Sequence, residues 1–515
     1  MLRQERLTSL LRGWLLPVAS GVLLALAFPP FNYAECAWVA LVPLLFALQD
    51  GTRGQAFRRG WIAGLVFFGM TVWWTIHVTV AGTIGLIAAL AVYFGLATTI
   101  FSLLRAPDSV WRNLLAGVVG TAWWVTLEWV RGKIIFGGFG WNGLGVSQHQ
   151  TLPLIQISEV TGVYGVSALV CFVNFAIYFT FHRFLRLRND EAPTRRLSWE
   201  LYAAVLLVST AFMNGLKMLR RDDSAVPGLR VALIQGNIPQ QVKFNPNEKP
   251  MITERYRALT EKAALLKPDL VIWPETGSPG VLRYEAESYN LVSNMAAVAN
   301  APLLTGTMDV EGQDWFNAAA LVRQDGQVIG LYRKIHLVAF GEYVPLRKIL
   351  PIMKWLTPID GSFERGDTFS VMQLDAVRFG AVICFEDTLP DLYLQFVKRG
   401  VNFMVNLTND AWFKESPAAE IHLANAVFRA VETRRPLVRC TNNGVTCVVN
   451  ESGQVKSDRR LPPFQEGILV CTVPLSEGKE LTFYTRHGDW FVVLCALISA
   501  LACGWMAWRA RRQGA

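Results

Sequence analysis

The chain has few charged residues and distributes them unevenly. Only 17% of its 515 residues are Asp, Glu, Lys or Arg, whereas 52% are hydrophobic and the mean hydropathy is +0.30. This balance is too apolar for an ordinary soluble protein, and it indicates membrane-spanning segments. The net charge of +9 does not point to nucleic acid, because much of the arginine excess lies in short segments between apolar runs. That placement is typical of membrane topology.

Metal-type cysteine spacing is also missing. None of the eight cysteines forms a Cys-x-x-Cys pair, so the sequence predicts no metal centre. Four lie in apolar runs and are predicted to be packing residues: Cys36, Cys171, Cys495 and Cys503. The others lie in a more polar part of the chain, where disulfides could form if it is extracytoplasmic, although the sequence does not pair them: Cys384, Cys440, Cys447 and Cys471. Internal repeats and low-complexity tracts are absent too.

Eight apolar runs approach the length of a spanning helix, which takes about 20 residues. The first is not expected to be a cleaved signal peptide, because more spans follow it and no small-residue cleavage site stands out. The second is short. Seven runs precede residue 217 and one lies near the C-terminus: roughly 10–28, 34–49, 60–77, 80–104, 114–130, 158–181, 199–216 and 489–508.

Arginine clusters predict how these spans are oriented. Clusters precede the first span, follow the last, and separate spans two and three, four and five, and six and seven. They all fall on one side if all eight runs cross, and the positive-inside rule makes that side the cytoplasm. The polar block 217–488 is then outside, between spans seven and eight. The loop 133–145, rich in Gly and aromatics, is also outside, either anchored at the interface by Trp141 or in contact with lipid.

The polar block has a different pattern from the rest of the chain. Short β-branched runs alternate with helical patterns, which predicts a mixed α/β domain with a central sheet. Helices are predicted at 252–266, 284–299 and 422–434. Strands are predicted at 229–237, 269–276, 301–309, 316–324, 327–335, 377–387, 402–410 and 436–450.

Polar residues lie at the ends of several predicted strands, where sites in open α/β sheets collect. Glu275, Cys384 and Asn409 end three strands, and Lys334 and Glu342 lie in the segment between the first two. A carboxylate can take the proton of a thiol as general base. A lysine ammonium can stabilise the thiolate and later the oxyanion of a tetrahedral intermediate. Together these residue types predict an acyl-transfer site with a cysteine nucleophile.

Each of these residues also has a simpler explanation. A cysteine such as Cys384 is more often a buried packing residue than a nucleophile. Glu275 could cap the turn after Trp-Pro, and Lys334 and Glu342 could be a solvated charge and a surface ion pair. The catalytic interpretation is favoured because all of them occur together, at predicted strand ends of one domain.

Three motifs, WPET, YRKIHLVAFGEYVP and VICFED, resemble in order the Glu, Lys and Cys motifs of the nitrilase superfamily. The later stretch HLANAVFRAVETRRPLVRCTNNG is similar to the C-terminal segment of that superfamily, and the match covers about residues 229–475. A nitrilase-like domain between seven spans and a final span resembles the membrane-embedded branch, the bacterial apolipoprotein N-acyltransferase family. QGNIPQ (235–240) and NDAWF (409–413) support this resemblance.

The resemblance implies an α/β fold, an αββα sandwich inserted between transmembrane helices 7 and 8 of an eight-helix bundle. The implied domains are 1–216, 217–488 and 489–515. It further implies Glu275 as general base, Lys334 as oxyanion stabiliser and Cys384 as nucleophile. Phe244 and Phe385 stand where members often have Trp and Tyr, so each keeps a ring and lacks a polar group. The implied supporting residues are Glu342, Glu386, Phe385, Phe244, Asn409 and Trp412.

The implied activity is transfer of an acyl chain from a phospholipid to the N-terminal diacylglyceryl-cysteine of an apolipoprotein. It follows a ping-pong mechanism through a thioester on Cys384, with no metal, cofactor or nucleic acid. The protein is expected to be a monomer in the bacterial inner membrane, with its catalytic domain facing the periplasm. The loop 343–365 is expected to dip into lipid or to act as a lid, although ordinary packing gives the same composition.

Two other functions fit parts of the sequence. A membrane-tethered amidase or nitrilase acting on a small soluble amide would share the Glu-Lys-Cys set but would have no need of eight spans. A transporter or scaffold protein with a degenerate outer domain would place ionisable groups inside its spans. Glu128 and His77, near span ends, are the main candidates, and interfacial positions explain them. The intact Glu-Lys-Cys set argues against degeneracy.

Overall fold

The computed structural model divides the chain into two compact units. The first comprises the residues up to Ile76, Val80–Arg220 and the residues from Asp489 onward. The second comprises His77–Thr79 and Arg221–Gly488. The structure describes residues 10–104, 109–134, 137–188, 197–220, 228–243, 245–339, 341–343, 362–476 and 480–513.

The first unit is helical. Its longer helices consist mainly of apolar residues, and Thr52 begins one of them with a capping box, in which Thr52 and Gln55 satisfy each other's backbone N–H groups. A π-helical turn covers Leu11–Leu15, and 3₁₀ helices cover Ala34–Trp38 and Leu144–Gln148; a further 3₁₀ helix, Trp73–His77, leads out of the unit. The α-helices are Leu16–Leu26, Val42–Ala47, Arg53–Thr71, Val80–Phe101, Val110–Lys133, Leu152–Ile155, Ser158–Thr161, Val163–Arg188, Trp199–Leu219 and Trp490–Gln513.

Several of these helices are apolar, and in the described part of the chain four are long and apolar enough to cross a membrane. The first two predicted spans fall on shorter apolar helical stretches, Leu11–Leu26 and Ala34–Ala47. The third and fifth fall on Arg53–Thr71 and Val110–Lys133, which carry several charged residues and are not among the four. The total of eight spans therefore stays a prediction. The four long apolar helices are Val80–Phe101, Val163–Arg186, Trp199–Leu219 and Trp490–Arg512.

A buried ion pair connects three helices of this unit. The Arg183 guanidinium donates to both oxygens of Glu200 at 3.1 Å, and Asn113 Nδ2 donates to Glu200 Oε1 at 2.8 Å. Arg183, Glu200 and Asn113 lie on Val163–Arg188, Trp199–Leu219 and Val110–Lys133. Because the Glu200 side chain is only 1% exposed, its charge depends on these donors.

Two residues expected at the membrane interface are packed inside the first unit. The Glu128 carboxylate is buried and accepts hydrogen bonds from Trp124 Nε1 at 2.9 Å and from the Leu144 backbone N–H at 2.5 Å. Trp141 is 4% exposed, and its ring centroid lies 5.3 Å from that of Trp74. Contacts within the unit therefore explain both positions.

The second unit contains two six-stranded sheets. The strands are β1 Gly228–Gln235, β2 Leu270–Ile272, β3 Leu303–Glu311, β4 Asp314–Val322, β5 Val328–Arg333, β6 Val371–Leu374, β7 Val377–Ile383, β8 Phe403–Thr408, β9 Leu437–Thr441, β10 Cys447–Val449, β11 Val455–Arg460 and β12 Gly467–Pro474. The strand order is β12-β1-β2-β3-β4-β5 in the first sheet and β11-β10-β9-β8-β7-β6 in the second. In each sheet three adjacent strands are parallel, β1-β2-β3 and β7-β8-β9, and the remaining neighbours are antiparallel.

The sheets face each other and helices cover their outer faces, which gives four layers. Between the sheets, Cys440 Sγ on β9 lies 3.2 Å from the Ile272 carbonyl oxygen on β2. Lys249–Ala264 and Ala286–Ala299 pack on the first sheet, and Ala418–Thr433 packs on the second. The central strands are apolar on both faces for this reason. The other helices of the unit are Gln240–Lys243, Pro390–Lys398 and Phe483–His487.

The predicted strands differ from the structure by one to several residues at their ends, and β6, β11 and β12 lie outside all of them. The predicted strand 436–450 is two antiparallel strands, β9 and β10, because Asn442, Asn443 and Gly444 form a turn between them. The predicted strand 269–276 ends at Ile272, ahead of Pro274, and the predicted strand 377–387 ends at Ile383. All eight cysteines are free thiols, so the structure contains no disulfide among Cys440, Cys447 and Cys471.

Candidate active site

Three predicted site residues follow strand ends of the second unit. Glu275 comes shortly after β2, Lys334 directly after β5 and Cys384 directly after β7. Gly306 on β3 allows the Glu275 backbone to approach closely, because a Cβ at Gly306 would lie 2.6 Å from the Glu275 Cα. Any other residue at 306 would push the Glu275 segment away from the sheet.

Lys334 is the best-enclosed member of this set. Its ammonium is 1% exposed and lies 2.9 Å from both carboxylate oxygens of Glu342 and 3.9 Å from Glu275 Oε1. Burial alone would lower the pKa of Lys334, but the charges of Glu342, Glu275 and Cys384 together raise it above its usual value. The side chain is therefore a fixed cation beside two carboxylates.

Asn317, on β4, connects the two carboxylates. Its Nδ2 donates to Glu275 Oε1 and to Glu342 Oε1, at 2.8 Å each. Glu342 is further fixed by the Val338 backbone N–H, which donates to its Oε2 at 2.8 Å. One amide and one ammonium thus hold two acidic groups in a defined arrangement inside the protein.

Glu275 is suited to take up a proton. Burial raises the pKa of its carboxyl group, and the nearby Glu342 charge raises it further, whereas Lys334, Asn317 and Lys243 act in the opposite direction. Lys243 also fixes the main chain here, because its Nζ donates to the Glu275 carbonyl oxygen at 2.7 Å. Burial lowers the pKa of Lys243 to about 8, although the Glu275 charge opposes this effect.

Cys384 lies at the junction of β7 and a 3₁₀ helix, Cys384–Thr388. Its φ of +54° is in the left-handed region, and its carbonyl oxygen accepts a hydrogen bond from Asn406 Nδ2 at 2.7 Å. Burial raises the pKa of the thiol to about 12; Glu275 and Asp410 contribute to this increase, and Lys334 and Thr408 oppose it. The thiol is therefore protonated at neutral pH and needs a base before it can react.

Glu386 holds together the segments that carry Lys334 and Cys384. It is fully buried, and it accepts hydrogen bonds from Tyr332 Oη and from the backbone N–H groups of Ile335, His336 and Ile383, at 2.8 to 3.0 Å. Burial raises the pKa of Glu386 to about 7, while Lys334 and the hydrogen bonds from His336, Ile383 and Tyr332 lower it. The neighbouring Phe385 is half-buried, and its carbonyl oxygen accepts from Thr388 Oγ1 at 2.8 Å.

Asn409 and Trp412 lie at the end of β8, in and beside the 3₁₀ helix Asp410–Phe413. Asn409 is buried, and its Nδ2 donates to Gln240 Oε1 at 2.8 Å. Its Oδ1 accepts from Asn442 Nδ2 at 2.9 Å. These bonds join three loops and give Asn409 a role in positioning the backbone. Trp412 is partly exposed.

The remaining predictions concern residues that are only partly described. Phe244, and residues 344–361 of the loop 343–365, lie outside the described residues. At the described ends of that loop, the Phe363 backbone N–H donates to the Glu342 carbonyl oxygen at 2.9 Å. Phe363 is therefore attached to the residue that holds Lys334.

The structure adds three residues that the sequence analysis did not select: Asn317, Tyr332 and His422. Asn317 is a single amide within an apolar strand, FNAAALV, and this contrast is the signal that could have drawn attention to it. Tyr332 and His422 are buried and hydrogen-bonded to acids that follow Cys384 in the chain. Such contacts between distant segments leave no mark in the local sequence pattern.

Two families match the chain in consecutive parts. Residues 20–176 match the family described as apolipoprotein N-acyltransferase N-terminal domain. Residues 230–482 match the family described as carbon-nitrogen hydrolase, and the matched range contains all twelve strands except the first two residues of β1. The second unit therefore has the nitrilase-like α/β fold.

Full-length relatives cover both parts together. The apolipoprotein N-acyltransferase of Geobacter metallireducens is 37% identical over 508 residues, which cover 95% of this chain and 95% of the relative. Those of Allorhizobium ampelinum and Chlorobaculum tepidum are each 30% identical and cover 96% and 95% of this chain, and 97% and 96% of their own lengths. By this similarity over nearly its whole length, the chain belongs to the apolipoprotein N-acyltransferase family.

Proposed function

We propose that this protein transfers an acyl chain from a phospholipid to the α-amino group of the N-terminal diacylglyceryl-cysteine of apolipoproteins. The observation that carries the proposal is the buried Lys334 ammonium. It is paired with Glu342, lies 3.9 Å from Glu275 Oε1 and opposes the increase that burial causes in the pKa of the Cys384 thiol. A base, an oxyanion stabiliser and a nucleophile are the groups that acyl transfer through a thioester requires.

In the first step Glu275 takes the proton of the Cys384 thiol, and the sulfur attacks the ester carbonyl carbon of a phospholipid. The oxyanion of the tetrahedral intermediate is stabilised by the Lys334 ammonium. When the intermediate collapses, the ester C–O bond breaks and Glu275 returns the proton to the departing oxygen. A lysophospholipid leaves, and the acyl chain remains on Cys384 as a thioester.

In the second step the α-amino nitrogen of the apolipoprotein attacks the thioester carbonyl, and Glu275 accepts a proton from it. The C–S bond then breaks, the amide product forms, and the proton returns to the Cys384 sulfur. Because the two substrates react in turn through one covalent intermediate, the reaction is ping-pong. Glu342 and Asn317 hold Lys334 and Glu275 in place throughout.

The arrangement in the membrane belongs to the same proposal. The chain would form eight transmembrane helices, with domains 1–216, 217–488 and 489–515, in the bacterial inner membrane. Arginine between the apolar runs supports a cytoplasmic position for both termini and a periplasmic position for the catalytic domain. Protease added to spheroplasts should then cleave within 217–488, and cleavage only after lysis would contradict this orientation.

The proposed chemistry is tested by intact-protein mass spectrometry. Purified protein incubated with phospholipid alone should gain the mass of one fatty acyl chain, and hydroxylamine should remove it. A Cys384→Ala variant should gain nothing. A diacylglyceryl-cysteine peptide added afterwards should become N-acylated while the protein returns to its original mass.

The outcomes separate the proposal from a related activity. No adduct on folded protein would count against a phospholipid donor, and hydrolysis of a small soluble amide would then favour a membrane-tethered amidase. If the adduct disappears in buffer alone as fast as it does with the peptide present, the activity is that of a hydrolase instead of a transferase. An adduct that persists in Cys384→Ala would contradict Cys384 as the nucleophile.

A further inference from the structure

A buried cluster of charged residues lies next to the Cys384 turn and takes no part in the proposed reaction. His422 Nε2 lies 2.8 Å from Asp387 Oδ1, and His422 Nδ1 lies 3.0 Å from Asp410 Oδ1. Arg439 donates to the second oxygen of Asp387. None of these four side chains is more than 1% exposed. The cluster is therefore sealed from water, and solvent does not screen its charges.

The cluster is connected to Cys384 through the main chain and the sheet. Asp387 belongs to the same 3₁₀ helix as Cys384, and Asp410 follows β8, the parallel neighbour of β7. Arg439 on β9 pairs in register with Asn406, whose side chain donates to the Cys384 carbonyl oxygen. The Asp410 charge adds to the increase that burial causes in the pKa of Cys384. Burial lowers the pKa of Arg439 to about 10, and the Cys384 charge is among those that oppose this decrease.

The hydrogen bonds indicate which form of His422 is present. An ionised carboxylate only accepts hydrogen bonds, and both ring nitrogens of His422 face carboxylate oxygens. A neutral imidazole carries one N–H, so one of its nitrogens would point a lone pair at a carboxylate. A protonated ring donates to Asp387 and to Asp410 at the same time.

The charge balance leads to the same result. Asp387 and Asp410 contribute two negative charges and Arg439 one positive charge, so one more proton makes the buried cluster neutral. Imidazole is a stronger base than a carboxylate, so this proton is placed on His422. Cys447, which lies beside Arg439, adds no charge at neutral pH, because burial raises the pKa of its thiol to about 12. An uncompensated buried charge is strongly destabilising, which makes the neutral cluster the stable one.

We infer that His422 is a positively charged positioning residue that neutralises Asp410 and thereby keeps Cys384 reactive. Without the imidazolium, the Asp410 carboxylate would act on the thiol uncompensated, and the Cys384 thiolate would form less readily. This assignment deepens the proposed function and rests on it for its catalytic consequence. The effect on the thiol itself can be measured without any acyl donor.

A purely structural role makes a different prediction. If His422 only holds Asp387 and Asp410 together, its loss disturbs the Cys384 turn whether or not Asp410 is charged. If His422 acts through its charge, removing the Asp410 charge as well restores the thiol. Three variants separate the two roles: His422→Gln, Asp410→Asn and the double variant.

The readout is the rate at which iodoacetamide alkylates Cys384 as a function of pH, followed by intact-protein mass spectrometry. A Cys384→Ala variant supplies the background from the other cysteines. We expect the His422→Gln profile to move up by about one pH unit, so that alkylation at a given pH below the midpoint is about tenfold slower. Asp410→Asn should move the profile down, and the double variant should return close to the wild type.

Several results would overturn the inference. The inference is wrong if His422→Gln has the wild-type pH profile of alkylation. It is also wrong if Cys384 is alkylated as slowly in the double variant as in His422→Gln. If His422→Gln fails to fold, Asp410→Asn decides alone, because an unchanged or upward-shifted profile contradicts a charge effect. A wild type that forms no thioester with phospholipid would refute the proposed function, and the alkylation series would still decide the role of His422.

Discussion

Asn317 provides the sharpest test of how the site is held together. Its Nδ2 donates to Glu275 and to Glu342 at 2.8 Å each, so Asn317→Leu removes two hydrogen bonds to ionised acceptors and keeps a side chain of similar size. A hydrogen bond to a charged group contributes about 1.5–3 kcal/mol. If the bond to Glu275 is needed in the transition state, thioester formation should slow by about 10- to 100-fold.

The same substitution should change the pH dependence. The Asn317 amide opposes the increase that burial causes in the pKa of Glu275, so its removal raises that pKa further. If Glu275 is the base, as proposed, it must be ionised to act, and the rising limb of the pH–rate profile should move to higher pH. In the wild type this limb should already lie above the usual range of a glutamate.

The assay is single-turnover formation of the thioester from phospholipid, followed by intact-protein mass spectrometry at several pH values. Asn402→Leu is the matched control, because Asn402 also makes two hydrogen bonds, to Ser476 at 2.7 Å and from Arg378 at 2.8 Å, but contacts neither carboxylate. Asn402→Leu should lower the melting temperature and leave the rate of thioester formation unchanged. An Asn317→Leu protein that melts like the control and reacts within about twofold of wild type would refute the reasoning.

Three further predictions follow from other contacts. Lys334→Met should slow thioester formation by at least about 100-fold, because it removes the proposed oxyanion-stabilising cation and the ammonium that lies 3.9 Å from Glu275 Oε1; intact-protein mass spectrometry measures this. Glu386→Gln should lower the free energy of unfolding by about 3 kcal/mol, because the new amide N–H would face a buried backbone N–H. Tyr332→Phe removes one hydrogen bond to Glu386 and should lower the free energy of unfolding by about 1 kcal/mol. Denaturant unfolding in detergent measures both values. Arg183→Leu should destabilise the first unit by about 3–5 kcal/mol, because Glu200 would be buried without its partner. The double variant Arg183→Leu, Glu200→Leu should regain much of the lost stability. A double variant that melts no higher than Arg183→Leu in thermal unfolding would contradict the prediction.

The sequence predicted β1 to β5 and β7 to β10 and the positions of Glu275 and Cys384 after strands, because apolar β-branched runs and the polar residues that follow them are local features. It did not predict β6, which is short, β11, which is mostly polar, or β12. The ends of the elements were less predictable. β2 stops ahead of Pro274, which has no N–H to donate to a neighbouring strand. The turn at Asn442 to Gly444 divides one predicted strand into two.

The supporting contacts depend on how distant segments meet. Asn317 lies in the middle of β4, and only the packing of β2, β4 and the Glu342 turn brings its amide between two carboxylates. The donors to Glu386 come from the segment after β5 and from the end of β7. The motif VICFED indicates Glu386 but not its hydrogen-bond partners, because strand register and loop paths are set by the whole fold.

The left-handed backbone of Cys384 has a consequence for how this chain can change over time. A residue with a side chain is disfavoured there by about 1–2 kcal/mol, a penalty that glycine does not bear. Cys384→Gly should therefore unfold at a higher temperature than Cys384→Ala, and under the proposed mechanism neither variant forms a thioester. If Cys384 is the nucleophile, selection for stability alone would favour glycine at this position and selection for reactivity keeps the cysteine. The melting difference between the two variants estimates how much stability the fold gives up to place a side chain there.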